Sequence, residues 1–155
     1  MAQTTASVPM ACGKLEIALD GACSVWTDIS GEGSTVEGTE QTRISGEAYT
    51  FTGDKAIVKG GKREPMELTF SIVYTETDAE AYEVIRETFE TTGCGVAICV
   101  RWSPRGGGAG TEMITTDQGI LTSFTYPPMD ASGGGPIMSG FAMKTGGVTT
   151  TIVAS

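Results

Sequence analysis

The sequence has no histidine, and its ten lysine and arginine residues are outnumbered by nineteen aspartate and glutamate residues. Without histidine the chain lacks the commonest general base near neutral pH and every Ser–His or Cys–His nucleophile pair. The net charge of −9 disfavours nucleic-acid binding, because that binding draws its affinity from cationic groups that release phosphate counterions. We therefore expect neither an enzyme nor a protein that holds nucleic acid tightly.

The sequence also lacks an apolar run long enough to cross a bilayer. Residues 1–14 carry neither the positive region nor the apolar core of a secretory signal. We therefore expect no membrane anchor and a cytosolic compartment. Paired carboxylates remain one conceivable source of glycoside chemistry. A solvated acidic segment is the better interpretation of the glutamates concerned, which are Glu32, Glu37, Glu40 and Glu47.

Four cysteines allow three interpretations, namely buried thiols, a structural disulfide or a zinc site. Cys94 and Cys99 are five residues apart near one strand-like segment, so they point to opposite faces and do not share a metal. Cys12 and Cys23 flank another strand-like segment and are able to meet across a hairpin. Because the chain has no CxxC pair and no histidine, we expect plain buried thiols and no metal or other cofactor.

The clearest structural signal lies in Pro65–Glu90, whose first part alternates strictly between apolar and mostly polar residues. Such alternation predicts a strand with one buried and one exposed face. The apolar face carries Met66, Leu68, Phe70, Ile72 and Tyr74. The opposite face carries Glu67, Thr69 and Ser71, which must meet something other than the core of the domain.

A helix is predicted directly after this strand, at Asp78–Glu90. Thr77 and Glu80 have the spacing of a capping box, and Gly93 stands where a left-handed cap would end the helix. One apolar stripe follows the helical period and consists of Tyr82, Ile85 and Phe89. We predict that this stripe packs on the apolar face of the preceding strand.

The remaining chain is also rich in strand patterns. Residues 1–13 show no pattern and predict an arm, whereas residues 14–155 show no linker and predict a single domain. Alternation predicts further strands at 15–19, 23–29 (with Val25 in the core), 96–102, 111–116, 119–126, 137–143 and 148–153. Roughly eight or nine strands and one helix indicate a mainly β fold, a β-sandwich or partial barrel with one flanking α-helix.

Charge changes sign between residues 28 and 64. Acidic residues dominate up to residue 47, and Tyr49 and Phe51 fall out of phase with Ile44, which indicates a β-bulge near Gly46. Residues 53–63 form a predicted long loop or hairpin tip with Gly60-Gly61 as a turn. Its cations are either solvated, docked on the acidic segment of an identical subunit, or in contact with nucleic acid. They are Lys55, Lys59, Lys62 and Arg63.

Five features of the chain occur in a recognisable order. They are a short arm with strands, residues 29–31 (Ile-Ser-Gly), an acidic-to-basic hairpin with Gly53-Asp54 and Gly61-Lys62-Arg63, the alternating strand Glu67–Tyr74, and the helix before Gly/Thr-rich strands. This order resembles the major tail tube proteins of bacteriophages with long, non-contractile tails, the siphophage tail tube family. The resemblance implies the phage tail tube fold, a β-sandwich with a flanking helix.

The resemblance also implies a structural virion protein, located in the virion tail and assembled in the host bacterial cytoplasm. Six copies would form a ring, and stacked rings would form a tube through which double-stranded DNA passes on ejection without specific binding. Its partners would be copies of itself and other tail proteins. In the family a long loop and a terminal arm clasp the adjacent ring. This implies inter-ring contacts at residues 1–13 and 53–63, the latter through Lys55, Lys59, Lys62 and Arg63.

A lumen would supply the water that a polar sheet face needs, so lumen-facing residues are expected at Glu47, Glu67, Thr69 and Ser71. A negative wall would keep passing DNA from sticking, although physiological salt screens charge over roughly 8 Å. Two alternatives stay open. One is a tube subunit of a contractile or secretion-type system, and the other is a monomeric β-sandwich that binds a protein or glycan through loops 103–110 and 127–136.

Overall fold

The computed structural model describes residues 2–10 and 12–155, and these residues contain eleven β-strands and one α-helix. The helix α1 spans Ala81–Thr91, and none of the described helices is long and apolar enough to cross a membrane. The strands are β1 (Lys14–Ala18), β2 (Thr27–Asp28), β3 (Gly33–Glu37), β4 (Arg43–Ala48), β5 (Ile57–Arg63), β6 (Met66–Val73), β7 (Ala97–Ser103), β8 (Glu112–Thr116), β9 (Gly119–Thr125), β10 (Met138–Thr145) and β11 (Val148–Ile152). The predicted mainly β class with one helix is confirmed.

Nine of the strands form one antiparallel sheet in the order β11–β8–β7–β9–β10–β6–β3, with β1 paired to β7 and β2 paired to β1. The start of β7 pairs with β9, whereas its end pairs with β8. The sheet thereby divides into layer A, made of β2, β1, β7, β8 and β11, and layer B, made of β3, β6, β10 and β9. The remaining strands, β4 and β5, form a separate hairpin.

Both layers contribute to one apolar core. Layer A supplies Ile17 and Val100, and layer B supplies Phe70 and Phe141, whose rings stack with their centroids 4.6 Å apart. Burying one such large side chain contributes roughly 1.5–3 kcal/mol. The facing inner surfaces of the two layers are therefore what holds the sandwich together.

Strand β6 alternates as predicted. Its buried residues are Met66, Leu68, Phe70 and Ile72, and Glu67 and Thr69 between them are exposed. Helix α1 packs on the core side of layer B, where the Tyr82 ring lies 4.7 Å from the Tyr74 ring and 5.3 Å from the Phe124 ring, measured between centroids. Phe89 stacks on Phe124 at 5.9 Å. The helix therefore covers one end of the core, as its apolar stripe predicted.

The ends of α1 differ from the prediction. The helix begins at Ala81 with Glu80 as N-cap, and no described side chain caps its first turn. The Glu80 N–H instead donates to the Thr77 carbonyl (3.0 Å), so the predicted capping box is wrong. Thr92 ends the helix in an extended conformation, and the predicted left-handed cap at Gly93 is absent from the described backbone.

Two predictions for the first half of the chain are also wrong. The strand expected at 23–29 is reduced to Thr27–Asp28, and Val25 is 67% exposed rather than buried in the core. Gly60-Gly61 lies inside β5 and does not form the predicted turn, because Gly60 pairs with Ser45 of β4 and the pairing continues to Arg63. The segment 53–63 is therefore a connection followed by a strand. The bulge expected near Gly46 is present as a register shift between Arg43 and Ser45.

The cysteines depart from the expectation of plain buried thiols. Cys23 and Cys99 form a disulfide with their Cα atoms 5.6 Å apart, and Cys12 and Cys94 are exposed. The pairing that the sequence suggested, Cys12 with Cys23, is wrong. The two bonded residues are 76 positions apart, and they meet only because the segment after β1 folds back over β7.

Candidate assembly surfaces

The hairpin β4–β5 stands apart from the two layers, and every residue in both of its strands is exposed. The Glu64 N–H donates to the Thr42 carbonyl (2.8 Å) and closes the base of the hairpin. The Gln41 side chain donates to the Gly146 carbonyl (2.9 Å) and joins this base to the domain. An isolated two-stranded hairpin is marginally stable in water, so this hairpin is a candidate for docking on another surface.

The four cations predicted as contact residues lie on β5 or on the connection before it: Lys55, Lys59, Lys62 and Arg63. The structure adds Arg43, which lies directly opposite Arg63 and donates from Nη1 to the Gly61 carbonyl (3.3 Å). All ion pairs among the described residues lie outside the hairpin. Like charges directly opposite each other destabilise a strand pair, so the hairpin holds positive charge that the domain leaves uncompensated.

The hairpin and its connection also expose large apolar side chains. Phe51 is fully exposed and Tyr49 is 73% exposed, and the strands add Ile44, Ile57 and Val58. Single apolar residues on a surface are ordinary, but a group of them on one element marks an interaction surface. Sequence reasoning missed these residues as site candidates. The available signal was that Tyr49 and Phe51 fall out of phase with the strand before them.

The face of layer B that points away from the core is lined mainly by small side chains, and we call it the hydroxyl face. Strand register sets its residues in rows. One row is Thr35, Ser71, Gly140 and Thr125, and the next is Glu37, Thr69, Ala142 and Ser123. A third row sets Glu67 directly opposite Lys144. The structure thus brings Glu67, Thr69 and Ser71 together on one mostly exposed polar face.

Glu47, the fourth residue predicted to face a lumen, lies elsewhere. It is on β4 of the hairpin, opposite Val58, and the single chain does not bring it to the hydroxyl face. Glu37 and Lys144 were missed as members of that face. Pairing between distant strands places them there, and the pattern within one strand does not reveal which strand will be its neighbour.

Three strands of the sheet have a free edge among the described residues. β3 pairs only with β6, β11 only with β8, and β2 only with β1. A groove beside β3 is lined by Met10 of the N-terminal arm together with Val36 and Trp102. Unpaired strand edges present rows of N–H and C=O groups that can template another strand. The ends of both layers are therefore candidate contacts between copies.

The predicted arm, residues 1–13, is exposed over residues 2–10 and forms neither helix nor strand there. Residues 1 and 11 of this prediction lie outside the described residues. The arm is followed directly by β1, which begins at Lys14. The C-terminal end of the arm therefore lies beside the groove at the free edge of β3. Its position is compatible with contact to a neighbouring copy.

The outward face of α1 is occupied by its own charges. Arg86 donates to Glu83 (2.5 Å) and to Glu90 (2.7 Å), and the bond to Glu83 raises the pKa of Arg86. The Tyr126 hydroxyl donates to Glu90 (3.1 Å). Burial, followed by this hydrogen bond, raises the pKa of Tyr126. The inward face carries the three residues predicted to pack on the sheet: Tyr82 and Ile85 are buried, and Phe89 is half-buried against the core.

No protein-family model and no curated protein matches the sequence. Solved structures match it over nearly its whole length. A chain of the anti-feeding prophage (AFP) tube terminating cap is 14% identical with a TM-score of 0.69, over 97% of this chain and 96% of that chain. A chain of the PVC sheath-tube complex in its extended state is 13% identical with a TM-score of 0.71, over 96% and 94%. A chain of the six-fold symmetrised AFP baseplate is 8% identical with a TM-score of 0.71, over 99% of both chains.

These similarities define the class of the fold, which is tail tube-like. At such low identity they show a shared fold, and function has to be argued from the surfaces. The PVC structure is described as an extracellular contractile injection system. The structural similarity therefore supports a tail tube-like fold in general, and it does not support the non-contractile siphophage family in particular.

Proposed function

We propose that this protein is a structural, non-enzymatic subunit of a phage-like tail tube that assembles with copies of itself and with other tail proteins. The observation that carries the proposal is the β4–β5 hairpin, which exposes cations and large apolar side chains together outside the core. The fold adds support, because similar chains occur in a tube terminating cap and in a sheath-tube complex. In a single copy the strands of this hairpin are fully exposed and add nothing to the apolar core.

The hairpin is proposed to dock on an acidic surface of a second copy. The chain has a net charge of −9, while positive charge is concentrated on the hairpin, so the complementary surface is provided by the chain itself. The contact residues are Arg43, Lys55, Lys59, Lys62 and Arg63. A hairpin that docks on a different surface makes a head-to-tail contact, and such contacts build rings or filaments. The arm, residues 1–13, is proposed to add a second contact to the adjacent ring.

The hydroxyl face is proposed to line the bore of the tube. Pairing of free strand edges between copies would satisfy exposed backbone groups and would continue layer B into a closed wall. Short hydroxyl side chains keep that wall hydrated. Lys144 lies opposite Glu67, so Glu37 leaves the wall with a net negative charge, which repels phosphates within the screening distance of roughly 8 Å. Thr69 and Ser71 lie in the middle of this wall. Glu47 belongs to the hairpin, so its exposure to the bore depends on how the hairpin docks.

The finer proposal is a ring of six copies, stacked into a tube through which double-stranded DNA passes on ejection. The tube would belong to a virion tail assembled in the host bacterial cytoplasm. The resemblance of the sequence to phage tail tube proteins is the basis for the ring number of six. A tube of a contractile or secretion-type system is the nearest alternative, and the PVC similarity supports it. The hairpin and the bore would act in the same way in both.

A ring that terminates a tube is the second candidate function. The specific observation is that the structural similarity to a chain of the AFP tube terminating cap extends over 96% of the length of that chain. A terminator stops growth after one ring, whereas a tube subunit stacks without limit. The two functions therefore differ in the assembled state of the purified protein.

Light scattering over a range of concentrations, followed by electron microscopy, tests these proposals. We expect the mass to rise with concentration and hollow tubes to appear, with Thr69 on the bore and the hairpin between rings. Discrete rings that never stack would favour the terminator. A monomer whose mass does not change with concentration would refute self-assembly. That result would favour a binding module that acts through loops 103–110 and 127–136.

A further inference from the structure

Residues 20–26, between β1 and β2, lie over the outer face of layer A, and we call them the cover loop. Ile98 and Val100 of β7 lie in the core, so Cys99 between them points to the opposite face of the strand. Cys99 is nevertheless completely buried, because the cover loop lies on it and Cys23 is bonded to its sulfur. The pair therefore joins an irregular loop to the centre of a strand.

The other contacts of the cover loop are weak or internal. The Asp20 carboxylate accepts hydrogen bonds from the backbone N–H groups of Ser24 (3.1 Å) and Val25 (3.0 Å), which shape the loop without tying it to the sheet. The Arg101 guanidinium lies 4.3 Å from the centre of the Trp26 ring, and such contacts contribute little where water reaches them. The disulfide is therefore the strongest link between the loop and layer A.

Cys23 also adopts a strained backbone conformation. Its φ is +55°, and it is the only non-glycine residue with a positive φ within residues 2–10 and 12–155. Residues with a Cβ avoid this region, because the Cβ approaches the following carbonyl oxygen. Strain of this kind persists only where the surrounding bonds enforce it. Without the disulfide, the loop should relax at Cys23.

We propose that Cys23 and Cys99 form a redox-controlled fastener, in which the cover loop is released while both are thiols and is fixed once they are oxidised. The thiolate of half-buried Cys23 attacks a low-molecular-weight disulfide, RS–SR, and one RS⁻ leaves. The thiolate of Cys99 then attacks the Cys23 sulfur in this mixed disulfide, and the second RS⁻ leaves. The two cysteine protons end on two RSH molecules, so RS–SR is reduced as the pair is oxidised.

The redox conditions of the compartment determine whether Cys23 and Cys99 are thiols or a disulfide. Glutathione keeps such pairs reduced in a cytoplasm, whereas oxidising surroundings outside the cell allow them to close. On the proposed function, a particle would be assembled with the loop released, and the loop would become fixed after the particle leaves the host. The fastener belongs to a single chain and goes beyond the proposed function, because it operates whether or not the chain assembles.

The test uses the full chain with Cys12→Ser and Cys94→Ser, which removes the two exposed thiols. One sample is treated with dithiothreitol and the other with oxidised glutathione. Titration in denaturant should find two thiols in the first sample and none in the second. Hydrogen exchange at residues 23–26 should be at least about tenfold faster in the reduced sample, while β6 exchanges equally in both.

Cys23→Ser in the same background is the matched control, because it keeps the size of the side chain at a loop position and removes the bond. Its hydrogen exchange should equal that of the reduced sample under both treatments. Two thiols remaining after oxidised glutathione would overturn the proposal. Equal exchange of the cover loop in the two redox states would do the same, as would a redox response that survives Cys23→Ser. Work below the assembly concentration keeps these outcomes independent of tube formation.

Discussion

Arg43→Glu should stabilise the β4–β5 hairpin of the single chain and weaken the assembly of several chains. Arg43 and Arg63 are paired directly across β4 and β5, and such pairs have Cβ atoms roughly 5 Å apart. Two unit charges at that distance interact by about 0.8 kcal/mol in water. Replacing repulsion by attraction changes the energy by about 1.6 kcal/mol, and screening over roughly 8 Å leaves about half of that. Arg43→Glu also removes the exposed hydrogen bond from Arg43 to the Gly61 carbonyl. The charge contribution of about 0.8 kcal/mol is therefore the upper limit of the gain in hairpin stability.

The same substitution removes a cation that is proposed to face an acidic surface. A like-charge contact across an interface costs more than 1.4 kcal/mol, which is a factor of about ten in affinity. We therefore expect the concentration needed for assembly, measured by sedimentation, to rise at least about tenfold. Hydrogen exchange of the β4–β5 amides should slow at the same time.

Arg105→Glu is the matched control for this prediction. Arg105 is an exposed residue in the loop after β7, and its reversal changes the net charge by the same amount without touching the hairpin. If Arg105→Glu impairs assembly equally, net charge rather than hairpin contact is responsible. If Arg43→Glu assembles at the wild-type concentration, the hairpin cations do not face an acidic partner.

Two further predictions concern the single domain. Phe141→Ala should lower the free energy of unfolding by about 3–5 kcal/mol, measured by denaturant titration, because the buried ring stacks on Phe70 at 4.6 Å; a loss below about 1 kcal/mol would contradict this packing. Asp28→Asn should remove a pH-dependent contribution to the free energy of unfolding. Hydrogen bonds from the Ser30 hydroxyl, then from its N–H, lower the pKa of Asp28, so the wild-type advantage should be complete above its ordinary pKa of 3.8 and vanish as pH falls below it.

The alternating strand and the helix could be predicted because their determinants are local. Met66 and Phe70 are two of four apolar residues at every second position of β6, and all four are buried. Tyr82 and Ile85 share one helical face, and both contact the core. Burial of one continuous apolar face contributes more free energy than any competing local preference in these segments. Periodicity is therefore enough to locate them.

The helix ends and the hairpin could not be predicted for a physical reason. Capping contributes about 1 kcal/mol, which is small enough for the path of the chain between β6 and α1 to override it at Thr77. Gly60-Gly61 is typical of turns, but pairing with β4 keeps it extended. The candidate site depends even more on distant pairing. Lys144 lies opposite Glu67, which is 77 positions away in the sequence. Cys99 is bonded to Cys23, which is 76 positions away.

Self-assembly of an acidic chain requires that attraction be local. With a screening length of roughly 8 Å, the net charge of each copy acts only where surfaces nearly touch. Arg86 pairs with Glu83 and Glu90, two of the carboxylates of α1, and the hydroxyl face carries few charges of either sign. On the proposed assembly, attraction is then confined to the hairpin while most other approaches are repelled or neutral. This asymmetry favours one head-to-tail orientation over random pairing of the free edges. The hairpin would therefore select which copy docks, and the free edge of β3 would continue layer B into the next copy only after that orientation is set.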